Sequence, residues 1–108
     1  MTPKPSILRQ LARGDIEAAV DFYAAEAGEP VALRFVDALE TALRMIGRHP
    51  AAGSPRLGQE LDLPGLRTRL LNGFPYLVFY VERQDHVDVW RVLHGHRDIP
   101  AWLQEPDG

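Results

Sequence analysis

The sequence predicts an α+β fold: an N-terminal strand, an antiparallel helical hairpin, and a C-terminal antiparallel β-meander on which the hairpin packs. Two observations carry this. Residues 66–93 hold three short apolar runs rich in β-branched and aromatic residues, each bounded by turn formers. That is the pattern of strand, turn, strand, turn, strand. Residues 15–48 instead repeat their apolar side chains at helical spacing, with one interruption at Gly28-Glu29-Pro30, which describes two helices joined by a tight turn.

Bulk properties set limits. A chain of 108 residues fits one domain, 1–108, with one modest core. It has no cysteine, so disulfide frameworks, thiolate metal sites and cysteine nucleophiles are excluded. No apolar run approaches the roughly 20 residues of a membrane helix. Met1-Thr2-Pro3-Lys4-Pro5 has no apolar core of a secretion signal. The cytoplasm is the expected location, with no membrane partner. The net charge of -3 weighs against a protein that holds nucleic acid by broad phosphate neutralisation.

Residues 6–11, Ser6-Ile7-Leu8-Arg9-Gln10-Leu11, suit either an edge strand or the lead-in to a helix; the strand is the expectation. Gly14-Asp15 then opens a helix over 15–27, with Asp15 placed to cap free N–H groups. Ile16, Ala19, Val20, Tyr23 and Ala27 form its apolar stripe, and Gly28 stops it. A second helix, 30–48, begins at Pro30, in the first turn where proline is tolerated. Its stripe is Ala32, Phe35, Val36, Leu39, Ala42, Leu43 and Ile46, and His49-Pro50 ends it. Residues 51–64 carry Gly53, Pro55, Gly58 and Pro64 and no sustained period. They read as a loop anchored by Leu57, Leu61 and Leu63, either functional or a simple crossover. Strands follow at 66–71, 76–82 and 87–93. A short turn or helix at 98–104 closes the chain, with Asp98 as a cap and Ile99, Trp102 and Leu103 as docking groups.

Alternation within the strands assigns faces. Leu77, Phe79 and Val81 are uniformly apolar and are expected under the helices, with Leu66, Thr68 and Leu70. The other face then carries Tyr76, Val78, Tyr80, Val87, Val89 and Leu93 beside Arg67, Arg69 and Arg91. No further long helix is available to cover it, and an exposed apolar patch of this kind marks a partner surface. Arg91, between Trp90 and Val92, is an unusual charge in mid-strand. It needs a carboxylate if buried, or contacts a target if not. Arg67 and Arg69 fit either a solvated strand edge or a partner contact. Arg97-Asp98 fits a structural pair or a partner contact. His94 and His96 share a His-x-His spacing, but no acidic ligand cluster sits beside them, so neither a metal nor another cofactor is expected.

In this order of elements the chain resembles the ParE branch of the RelE/ParE toxin superfamily. The matching pieces are Ala12 with Asp15-Ile16, Phe22-Tyr23, Arg34-Phe35, Leu39-Glu40, His49-Pro50, Gly53, Leu63-Pro64-Gly65-Leu66-Arg67, Pro75-Tyr76-Leu77-Val78-Phe79-Tyr80, and Arg91-Val92-Leu93-His94-Gly95-His96-Arg97-Asp98. The resemblance implies the toxin of a toxin–antitoxin pair, neutralised by a small cognate, ParD-like antitoxin. That antitoxin would cover the apolar face, through Arg67, Arg69, Tyr76, Val78, Tyr80, Arg91 and Arg97. It implies DNA gyrase as target and contact with operator DNA only through the antitoxin. The RelE branch instead cleaves mRNA on the ribosome, which needs groups that move protons and hold phosphate. RelE-type sites typically use lysines, arginines and a tyrosine near the C-terminus. Here Lys4 is the sole lysine and no tyrosine follows Tyr80. A RelE-like site would rest on Arg67, Arg91 and His94. These departures favour the ParE branch; an inactive homologue that only binds antitoxin is the third possibility.

Overall fold

A computed structural model describes residues 2–95 and 99–103, leaving aside the side chains of Pro100 and Trp102. In chain order it contains β1 (Ser6–Leu8), α1 (Gln10–Ala27), α2 (Glu29–Arg48), a 3-10 turn (Pro50–Ala52), α3 (Arg56–Glu60), β2 (Leu66–Leu70), β3 (Tyr76–Glu82), β4 (Val87–His94) and α4 (Ile99–Leu103). The four strands form one mixed sheet in the order β1-β4-β3-β2. β1 runs parallel to β4; the other two pairings are antiparallel.

α2 follows its sequence pattern closely. Ala32, Phe35, Leu39, Ala42 and Ile46 are buried along one stripe. Glu29 in the first turn and Arg48 in the last complement the helix dipole. Gly28 takes φ 93° between the two helices, a backbone state that glycine enters without steric cost. α1 starts earlier than expected, at Gln10, and β1 is correspondingly short. Asp15 is therefore not a cap. It lies inside α1, and its carboxylate is bound by Arg91 and by the Val92 N–H. The expected loop over 51–64 contains the 3-10 turn and α3, and Ser54 makes an isolated bridge to Thr68.

The assignment of sheet faces is corrected. Val78, Tyr80, Val87, Val89 and Val92 lie on the helix side, in one cluster with Ala12, Ala19, Phe35, Leu39 and Ile46. Phe79 and Val81, expected there, belong to a second cluster with Leu66 and Leu93. That second side is not bare: Leu57, Leu63, Ile99 and Leu103 pack onto it. α3, the segment after it and α4 do what no long helix was available to do. Two physical facts account for the inversion. β3 is apolar on both faces, so alternation carried no sign. A β-bulge also shifts the β3–β4 register between Phe79 and Tyr80, pairing Phe79 with Arg91 but Tyr80 with Val89. Trp90 is left unmatched, which puts Val92 on the side of Val87 and Val89 and sends Leu93 to the other.

Candidate functional site

Tyr80 is fully buried beneath the hairpin, and its hydroxyl donates to the Pro50 carbonyl at 2.7 Å. Burial raises its pKa, an effect that outweighs the opposing pull of Gly53, Arg67 and Arg69, so the phenol remains a donor. Gly53 presses against this ring, and a Cβ there would collide with the hydroxyl. Arg67 stands across from Tyr80 and Arg69 across from Val78 in the β2–β3 ladder. Arg67 donates to the Gly53 carbonyl at 2.8 Å. These groups bind the segment after α2 to the sheet. Val78 and Tyr80 are 0% exposed and do not form part of the protein surface, contrary to the expectation of a partner-facing patch.

Arg91 is buried on β4. Its Nε lies 2.8 Å and its Nη2 2.7 Å from the two carboxylate oxygens of Asp15 on α1. The same carboxylate accepts the Val92 N–H at 3.0 Å. The two side chains are only 5% and 10% exposed. Of the two roles the sequence left open for Arg91, the ion pair is the one formed. Arg67 on β2 and Arg91 on β4 have β3 between them and are bound to different groups, the Gly53 carbonyl and the Asp15 carboxylate. Arg97, together with His96 and Asp98, lies outside the described residues.

His94 and Tyr76 do meet, with ring centroids 5.3 Å apart, at one end of an aromatic cluster. Tyr76 packs on Phe35 and Tyr23, and Tyr23 packs on Phe22 and Phe74. A cleft of about 420 Å³ opens beside this cluster, between α1 and the end of β4. Asp15, Phe22, Tyr23, Tyr76, Val92 and His94 are among its lining residues. Phe22 stands at its rim, 54% exposed. Of the expected site residues, Tyr76 and His94 reach this cleft. Asp15, Phe22 and Tyr23 were not among them. A signal for Phe22 existed: it is an aromatic residue one position off the apolar stripe of its own helix.

A second polar centre lies at the other end of β4. Asp88 accepts two bonds from Arg9 and one each from Arg83 and the Trp90 indole. The Arg9 guanidinium also lies 4.6 Å from the centre of the Trp90 ring. Burial alone would raise the Asp88 carboxyl, but the bonds from Arg9, Arg83 and Trp90 outweigh it and hold the group below the ordinary carboxylate range. Lys4 is bound to Glu82 at 2.8 Å and to the Arg83 carbonyl at 2.7 Å. Among the described residues no group of three or more His, Asp or Glu gathers as metal ligands, and no helix is long and apolar enough to cross a membrane.

The comparisons with known proteins agree with this architecture. A chain of the chromosomal ParDE TA system from P. aeruginosa has a similar fold, with a TM-score of 0.69 at 21% sequence identity over 84% of this chain and 96% of that one. No curated protein sequence matches significantly. A family model described as the ParE toxin of type II toxin-antitoxin system, parDE, matches residues 7–99. That match takes in all but the first residue of β1, the helical hairpin and the whole meander, and the chain therefore belongs to the ParE toxin family of type II toxin–antitoxin systems.

Proposed function

We propose that this protein is the toxin of a toxin–antitoxin pair, that a cognate ParD-like antitoxin neutralises it, and that it inhibits DNA gyrase by protein contact rather than by chemistry of its own. The family match over residues 7–99 carries this reading. The placement of the cationic groups supports it. RelE-type cleavage would draw on Arg67, Arg91 and His94, yet Arg91 is spent on Asp15 and Arg67 on the Gly53 carbonyl. The sole lysine, Lys4, is tied to Glu82. These are bonds of the fold, and a phosphoryl-transfer site needs its cations and its proton carrier aimed at one point.

Partner contact falls to Tyr76, His94 and their neighbour Phe22 at the cleft, and to the half-buried Arg69. Arg67 and Arg91 act through the fold. The antitoxin alone would meet operator DNA, and the pair would work in the cytoplasm. The test is gyrase supercoiling of plasmid DNA with added purified toxin, with and without the antitoxin encoded beside it. Loss of supercoiling with accumulation of cleaved DNA, reversed by antitoxin, is the expected result. No effect at large excess would remove gyrase as the target. Ribosome-dependent mRNA cleavage by the same preparation would then place the protein with the RelE mechanism.

A further inference from the structure

We propose that the recess between the N-terminal segment and the last turns of α2 is a docking site for an acidic stretch of the antitoxin, with Arg44 and Arg48 as its anchors. The inference rests on the antitoxin reading above and is independent of the target. The recess has a volume of about 390 Å³ and shares no lining residue with the α1–β4 cleft. Pro3, Pro5 and Leu43 give it an apolar surface, and Lys4, Arg44 and Arg48 give it positive charge. Among the described residues no carboxylate lines it. A close approach of backbone builds it. The Lys4 N–H donates to the Gly47 carbonyl at 3.0 Å, and a Cβ at Gly47 would stand 2.5 Å from the Lys4 carbonyl oxygen. Glycine weakens a helix interior; here it lets the N-terminal segment lie against α2.

The fold meets the charge of Lys4 with Glu82 at 2.8 Å, but it does not meet the other two. Arg44 and Arg48 are exposed, and among the described residues neither pairs with a carboxylate. Arg44 donates to the Thr41 hydroxyl at 3.1 Å, although Glu40 stands four residues before it, where pairing is favoured. Arg48 alone would suit the C-terminal end of the helix dipole. Arg44, one turn earlier, adds like-charge repulsion, so helix stability accounts for one arginine and not for both. An occupant must bring negative charge to two guanidinium groups and apolar side chains to the prolines and Leu43. An acidic peptide stretch that includes an aliphatic residue does both, and a guanidinium matches a carboxylate as a bidentate fork. A nucleic-acid backbone fits less well. The chain carries a net charge of -3, and the positive area is confined by Glu40 on one side and by Glu82 at Lys4 on the other.

The test measures binding of the antitoxin encoded beside this protein at low and at high salt, with circular dichroism as the check on folding. Arg44→Gln/Arg48→Gln removes the two anchors. Arg34→Gln/Arg56→Gln removes two exposed charges outside the recess. The first pair is expected to weaken binding about tenfold at low salt, chiefly through the association rate, and less at high salt. The second pair is expected to bind as the wild type does. Wild-type binding by the first pair overturns the docking site and leaves the antitoxin reading standing, as does an equal loss from both pairs. No binding by the wild type overturns both. Binding of duplex DNA by the toxin alone, lost in the first pair, would make the recess a phosphate site and overturn the proposal. If the first pair does not fold, the Arg44 and Arg48 side-chain N–H resonances of the wild type decide. They are expected to shift when antitoxin is added, and resonances that stay in place while the complex forms overturn the proposal.

Discussion

Arg91 shows how much of a site one residue can state and how much it must leave open. A guanidinium between Trp90 and Val92 announces that a carboxylate is needed if the strand is buried. It does not announce which one. The partner is Asp15, 76 positions earlier, and locally Asp15 reads as a helix cap because it follows glycine at the start of an apolar stripe. A carboxylate so engaged by a guanidinium and a strand amide has no need of a cap's role, and α1 begins at Gln10 without a side-chain cap. The pair leads to a clear expectation. Arg91→Ala leaves the Asp15 charge buried without its counter-charge, so urea unfolding should show a loss of about 3–5 kcal/mol. Arg69→Ala, at a half-buried position at the sheet edge, should stay within about 0.5 kcal/mol of wild type in the same assay.

At the scale of elements, strand and helix positions were legible because each rests on a local period, and β3 was read at its observed limits, Tyr76–Glu82. The faces were not legible, because they depend on a bulge, and a bulge is set by two strands together. Of the short coverings, α4 falls where a short turn or helix was expected over 98–104, whereas α3, five residues inside the expected loop, is too short to show a helical period. The brief β1 holds its place through contacts equally invisible to periodicity. Asp88 beside it binds Arg9, the residue that follows β1, together with Arg83 and Trp90. The folded state holds the Asp88 carboxyl below its ordinary value, so its contribution is present above the unfolded carboxylate pKa and is lost as pH falls through the depressed folded value. Hydrogen exchange followed through an acid titration should therefore show Val87 and Arg9 amides, which bond to Pro5 and Val89, losing protection ahead of the β2–β3 ladder. Asp88→Asn should remove most of that pH dependence.

The whole molecule changes the question that the sequence posed. A bare apolar sheet face would have named the partner surface at once, but both faces are covered, and the openings that remain are local, the α1–β4 cleft among them. Function must then be tested by what the exposed groups do together. General acid–base groups contribute about 10²–10⁴-fold to the reactions they serve, whereas most positions of a contact surface cost less than about 1 kcal/mol, or roughly fivefold, when truncated. That difference separates a contact inhibitor from a nuclease even before the target is identified. Arg91→Ala does not discriminate, because its loss of stability would lower either activity. Arg67→Ala and His94→Ala do, once circular dichroism shows them folded. In a growth-arrest titration from a controlled promoter, both variants should remain toxic, with the expression needed for arrest raised less than about tenfold. A loss of a hundredfold or more from His94→Ala, with antitoxin binding unchanged, would mark that imidazole as a proton carrier and return the protein to the nuclease branch.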